Sequence, residues 1–174
     1  TIEDGSANFK TKLYTANNTD NHAISGVGFS PDLVWIKDRD TVASHVVFDT
    51  VRGAQSGGGY ITVNTTDTEG QGGFTNTLKS FDSDGFTLDD DSNDQRVNYG
   101  GEMVSWNWLT GSATSTPSGG SVSSTVSVNQ TNGFSIVTWT GTGANATIAH
   151  GLGATPRWIL VRNRSASGGW YVGH

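Results

Sequence analysis

The chain contains one stretch of sequence twice. Placing residues 125 positions apart side by side sets Phe9 on Phe134, Thr15 on Thr140, Gly26 on Gly151, Gly28 on Gly153, Pro31 on Pro156 and Arg39 on Arg164, with no gap. The same register pairs Tyr14 with Trp139, Ile36 with Val161 and Lys37 with Arg162. A fixed offset held from residues 9–49 to 134–174 means that one structural unit is used twice, the second time in part. The fold must therefore be one whose opening elements can be laid down again further along the chain.

Each copy carries an aromatic-bearing strand, a polar loop, a Gly-x-Gly-x-x-Pro turn and a short apolar run that ends in charge. In the first copy the run is Leu33-Val34-Trp35-Ile36, followed by Lys37-Asp38-Arg39; in the second it is Trp158-Ile159-Leu160-Val161, followed by Arg162-Asn163-Arg164. Four continuous apolar residues between turn and charge signals predict a central strand covered on both faces. Proline just ahead fits a strand entrance, where a missing N–H costs least. Further strands are expected at Val46–Phe48, Tyr60–Val63, Phe81, Gly85–Leu88 and Met103–Trp108, with Val104, Trp106 and Trp108 on one face by their period of two. Glycine-rich breaks separate these runs, and no apolar stripe of helical period occurs. The 33% hydrophobic fraction is low, but six Trp, four Tyr and seven Phe bury large areas per residue and suffice for a thin core. The expected fold class is all-β: an antiparallel β-sandwich, jelly-roll or immunoglobulin-like, as a tandem repeat with an incomplete second copy.

Three regions follow. Residues 1–110 form a first sandwich domain, residues 111–125 read as a flexible Gly/Ser/Thr linker, and residues 126–174 are the first half of a second, homologous domain. Completing that half by the repeat register would take roughly 60 further residues, so the natural polypeptide is expected to continue beyond His174. A half-domain cannot bury its own apolar strands. Those strands are expected to be hydrogen-bonded to further chain, to another subunit or to the first domain.

Charge and cysteine content remove several function classes. A net charge of −6 at pH 7, with Lys and Arg scattered, disfavours nucleic acid and anionic membrane as partners. Without cysteine there is no disulfide, thiolate metal site or cysteine nucleophile. Thr1–Gly5 lacks the features of a secretory signal and no apolar run reaches membrane-spanning length, so a soluble protein made in a cytoplasm is expected.

The remaining motifs favour structural roles. Gly26-x-Gly28 and Gly151-x-Gly153 precede a strand, and proline stands where a dinucleotide fingerprint needs its third glycine, so both read as turns. Asp82, Asp84, Asp89, Asp90, Asp91 and Asp94 crowd around Gly85, but the spacing is not that of an EF-hand. A solvated acidic turn is expected, with a Ca²⁺ site as the alternative. His22, His45, His150 and His174 have no zinc spacing, and nothing singles out Glu3, Glu69 or Glu102 as catalytic. No catalytic, cofactor-binding or metal-binding residue is assigned, and no enzyme is expected. Trp35, Trp106, Trp108, Trp139 and Trp158 fall in strand patterns and are expected to be buried; Trp170, beside Gly168-Gly169, is the tryptophan left over for sugar stacking.

Three phrases carry a family resemblance: Pro31-Asp32-Leu33-Val34-Trp35-Ile36-Lys37, Phe48-Asp49-Thr50-Val51-Arg52-Gly53-Ala54, and Ser80-Phe81-Asp82-Ser83-Asp84-Gly85-Phe86-Thr87-Leu88. With Asn132–Gly141, His150-Gly151-Leu152-Gly153 and Pro156 of the second copy, they resemble an uncharacterised β-rich repeat domain of tail-fibre and other virion surface proteins of tailed bacteriophages, marine ones especially. The resemblance implies a virion structural protein made in a bacterial host. Its implied partners are other tail or capsid proteins and copies of itself, a homotrimer among the states it admits. Two alternatives stay open, a capsid decoration or head-fibre protein and a lectin-like module that recognises a host-surface glycan.

Overall fold

The computed structural model describes residues 4–54, 59–92, 96–111 and 114–174. Its first eight strands are β1 (Phe9–Ala16), β2 (His22–Ser25), β3 (Leu33–Asp38), β4 (Val46–Asp49), β5 (Ile61–Thr62), β6 (Leu78–Asp82), β7 (Gly85–Leu88) and β8 (Gly101–Trp108). They form a five-stranded sheet, β1-β8-β3-β4-β5, and a three-stranded sheet, β2-β7-β6, with every neighbouring pair antiparallel. The two sheets pack face to face as an all-β sandwich, the class expected from the alternating strand patterns. Strand β8 runs between β1 and β3, so the end of the unit closes onto its beginning.

The core lies between the sheets. Val34 and Ile36 of β3, Phe48 of β4, Leu78 of β6, Phe86 and Leu88 of β7 and Met103 of β8 are all essentially inaccessible to water. Truncating a fully enclosed ring such as Phe86 removes its transfer energy and leaves a cavity, about 3–5 kcal/mol in total. Tyr14 of β1 reaches into the same layer and donates its hydroxyl to the Val97 carbonyl at 2.7 Å. Burial pushes that phenol well above its ordinary titration range. At Gly85 a Cβ would stand 1.9 Å from the Ile24 carbonyl oxygen, so only glycine allows β7 to approach β2 there.

Strand β3 is central, but one of its faces is only half covered. Val34, Ile36 and Asp38 are buried, while Leu33, Trp35 and Lys37 are half-buried, so the expectation of cover on both faces is corrected. The outer face of the sheet is shielded by its own aromatics, with Phe134 of the second copy stacked on Trp108. Trp35 lies opposite Trp106 with ring centroids 5.9 Å apart, on the face that Val104, Trp106 and Trp108 share. The inward face of β8 alternates with them and carries Met103, Ser105 and Asn107.

The second copy forms two hairpins, β9 (Ser124–Asn129) with β10 (Phe134–Trp139), and β11 (Ile159–Val161) with β12 (Tyr171–Gly173). Strand β9 begins inside the stretch read as linker. Ser115 pairs with Val126, and Ser121 donates its N–H to the Thr147 carbonyl, so this composition-poor segment spends its backbone groups on the second unit. The pattern of Ser and Thr hid this, because such residues satisfy turns and strand edges without apolar content.

Candidate interaction surface

The repeat seen in sequence is reproduced for three of its four strands, β2 having only an isolated bridge at Ile148 as its counterpart. Strand β10 is the counterpart of β1, β11 of β3 and β12 of β4. The pairing of β3 with β4 is copied too. Val34 faces Phe48 and Ile159 faces Gly173; Trp35 faces Val47 and Leu160 faces Val172; Ile36 faces Val46 and Val161 faces Tyr171. Residue for residue, β11–β12 is the β3–β4 hairpin moved 125 positions along the chain.

Its environment is not copied. Val34 and Val46 are 0% and 1% accessible, whereas their counterparts Ile159 and Tyr171 are 45% and 71%. Trp158, Leu160 and Val172 are exposed as well. Among the described residues neither hairpin of the second copy joins a sheet of the first unit, so the first domain is not the neighbour that bonds these strands. Leu160 and Val172 stand on one face of the hairpin and Ile159 and Tyr171 on the other, exposed apolar residues of the kind that mark an interaction surface.

Polar groups of the loops hold the second copy in place. Arg162, where the first copy has Lys37, donates to the Thr65 carbonyl at 2.9 Å and to the Asp67 carbonyl, and it lies over the ring of Trp170 at 5.8 Å. Arg164 donates to Glu69 at 2.5 Å, and the backbone N–H of Glu69 donates to the Arg164 carbonyl at 3.0 Å. Gly168 N–H and Ser167 Oγ both donate to the Thr66 carbonyl. On the first-unit side, Glu69 also accepts from Arg52 at 2.9 Å. Arg52 is almost fully enclosed, donating in addition to Asp49 at 2.5 Å and to the carbonyls of Gly59 and Val47. A buried guanidinium is tolerable only with its donors filled in this way.

A second feature lies on the same copy. A shallow groove of about 250 Å³ is lined by Thr116, Ser123, Thr125, Thr138, Trp139 and Arg164 among others. Trp139 is 40% exposed there. The expected burial of Trp139 and Trp158 is thus corrected: among the described residues nothing covers them as the second sheet covers the first unit's strands. Trp170, set aside for sugar stacking, is half-buried beneath Arg162.

The acidic cluster disperses into separate turns. Asp82 accepts from Thr87 and Ser80, Asp90 from Asn76 and Ser92, and Asp89 from the N–H of Asp90. Asp84 accepts from the N–H groups of Gly28 at 2.6 Å and Gly26 at 2.9 Å, which hold its carboxyl below the usual range. Both glycines have positive φ, as do Gly151 and Gly153, in keeping with turns. Asp91 is buried, and its Oδ2 accepts three successive backbone N–H groups, from Arg96, Val97 and Asn98. Desolvation nevertheless raises its pKa. Among the described residues no three acidic or histidine side chains converge on one point. Asp94 and Glu3 lie outside the described residues.

Histidines and the remaining glutamate are likewise engaged singly. His22 Nδ1 lies 2.7 Å from Asn98 Oδ1, and His45 Nδ1 accepts from the Trp35 indole at 3.2 Å, with burial lowering its pKa. His150 Nδ1 accepts from the N–H of Leu152 at 3.2 Å, His174 is exposed, and Glu102 accepts from Thr15 at 3.0 Å. The repeat register marks Arg162 and Arg164 as charged strand ends, but nothing in it joins them to Glu69 or Arg52. The one available signal was the Asp49-x-x-Arg52 spacing in a turn.

No curated protein and no solved structure matches the chain significantly. One family does match, over residues 4–174, a span that takes in both copies and the segment between them, and the chain therefore belongs to the domain of unknown function DUF7483.

Proposed function

We propose that the chain is a non-enzymatic structural component of a bacteriophage virion surface, a tail fibre or tail-associated adhesion protein, with capsid decoration or a head fibre as the alternative location. The single observation that carries this reading is the β11–β12 hairpin, whose apolar residues stand exposed beside a closed sandwich. Exposed apolar strand surface suits a subunit held in an assembly rather than a free monomer. Its partners on this reading are other virion proteins and further copies of itself. Immunogold labelling of intact particles with antibody against the first sandwich tests it. Label on the tail or on the capsid is expected and separates the two locations; label confined to free protein in the lysate contradicts both.

The groove at Trp139 favours a second reading, a lectin-like module for a host-surface glycan. An exposed indole flanked by Thr and Ser hydroxyls and a guanidinium offers an apolar platform with a polar rim. Glycan-array binding that disappears in Trp139→Ala supports it. Equal signals from the two proteins, or none from either, contradict it.

A further inference from the structure

The chain has a single Asn-Gly step, Asn132-Gly133, and the fold sets it in the turn that joins β9 to β10. The 125-residue register aligns these two residues with Ala7 and Asn8, so the step belongs to the second copy alone. Local features leave the Asn132 side-chain amide open to attack by the backbone that follows it. Gly133 is exposed with φ at +67°, and a Cβ there would meet nothing within 4 Å, so the space beside its backbone is clear. Among the described residues the Gly133 N–H meets no acceptor, which leaves this nitrogen untied. Asn132 Nδ2 is buried without a hydrogen-bond partner, so no bond holds that nitrogen to the protein. The Asn132 backbone is meanwhile fixed, its N–H donating to Asn129 Oδ1 at 3.0 Å.

We propose that Asn132 is a self-modification site, at which the folded chain converts its own asparagine to isoaspartate and aspartate with water as co-reactant. The Gly133 nitrogen gives up its proton and attacks Asn132 Cγ. The Cγ–Nδ2 bond then breaks, ammonia leaves with that proton, and a succinimide ring closes. Water adds to one of the two ring carbonyls and breaks its bond to nitrogen. Opening at the backbone carbonyl routes the main chain through Cβ and Cγ and gives isoaspartate; opening at the side-chain carbonyl gives aspartate. The net change is one amide and one water to one carboxylate and one ammonium, with nothing oxidised or reduced.

Conversion at this place acts on the junction of the two copies. The turn closes the pairing of Asn129 with Phe134, and Phe134 is the ring stacked on Trp108 of the first unit. An extra main-chain carbon alters that closure. Either product also adds a carboxylate to a turn that buries the side-chain nitrogen without a partner, and desolvation opposes a charge there. Converted chains therefore hold the second copy less firmly than newly made ones, while the first sandwich, which lacks the step, is untouched. This inference concerns the turn itself and holds whichever surface the protein occupies.

The full chain should be incubated at mildly alkaline pH and sampled over time by peptide mapping, with a fragmentation that tells isoaspartate from aspartate. The expected result is loss of the Asn132 amide ahead of every other asparagine, read as the mass change of NH₂ to OH, with isoaspartate in excess. Cleavage between residues 111 and 125 under limited proteolysis should rise in step with the converted fraction. Asn132→Gln, whose ring closure needs one more atom and is far slower, should show neither change, and its unfolding curve verifies that it folds. The proposal is overturned if the folded chain keeps its Asn132 amide over a period in which the same chain unfolded in urea loses it, or if another asparagine converts first. It is also overturned if conversion proceeds while cleavage stays at its starting level, which would leave the junction insensitive to the turn.

Discussion

Phe134 stacks on Trp108 with ring centroids 6.3 Å apart and an interplanar angle of 26°. Phe9, its counterpart in the first copy, meets the same indole at 4.9 Å. One tryptophan thus receives the equivalent residue of both copies, at the point where the first sandwich ends and Thr110 bonds to Ser127. This contact acts together with the bonds of Arg162, Arg164, Ser167 and Gly168 to the Thr65–Glu69 loop in fastening the second copy to the first.

Phe134→Ala should loosen that attachment without opening the first core. The ring is half-buried, so a loss of about 1–2 kcal/mol is expected, including the aromatic pair term. Limited proteolysis between residues 111 and 125 should accelerate, while the exchange of Phe48 and Phe86 amides stays slow. Unchanged cleavage would show that the stacking does not fasten the copies.

Glu69 serves two arginines of different burial, and its variants should separate their contributions. Glu69→Ala leaves the enclosed Arg52 short of one carboxylate, an expected loss of about 2–4 kcal/mol in equilibrium denaturation. Arg164→Ala removes only a half-exposed partner, and about 1 kcal/mol or less is expected. Equal losses would contradict the ranking by burial.

The Asp84 clip on Gly26 and Gly28 makes an acid-dependent contribution. Its folded pKa lies below the ordinary 3.8, so its stabilisation is present above 3.8 and is lost as pH falls through the folded pKa. Asp84→Asn should therefore have a lower melting temperature than the unaltered chain at neutral pH, and the gap should narrow in strong acid. A constant gap would assign the effect to something other than the carboxylate's charge.

Much of the fold was legible because strand patterns survive in sequence even where their surroundings do not. The 125-residue offset correctly paired β1 with β10 and β3 with β11, and it carried the turn glycines with them. The burial of Trp139, Trp158 and Ile159 was misjudged for the same reason. An apolar run records what a strand is suited to face, and only the rest of the unit decides whether that face is covered. The bonds of Ser115, Ser121 and Ser124 were hidden by a composition shared with linkers, and Asp91 looked like one member of an acidic turn although its backbone partners follow it in the chain. Long-range pairs such as Glu69 with Arg164 leave no spacing signal at all.

The central claim is that β11–β12 is the β3–β4 hairpin without its cover. Backbone hydrogen exchange of the isolated chain, compared between these two hairpins at matched positions, tests it most directly. Val34–Ile36 should exchange only on global unfolding, and Ile159–Val161 at least about a hundredfold faster through local opening. Equal protection of the two hairpins would contradict it.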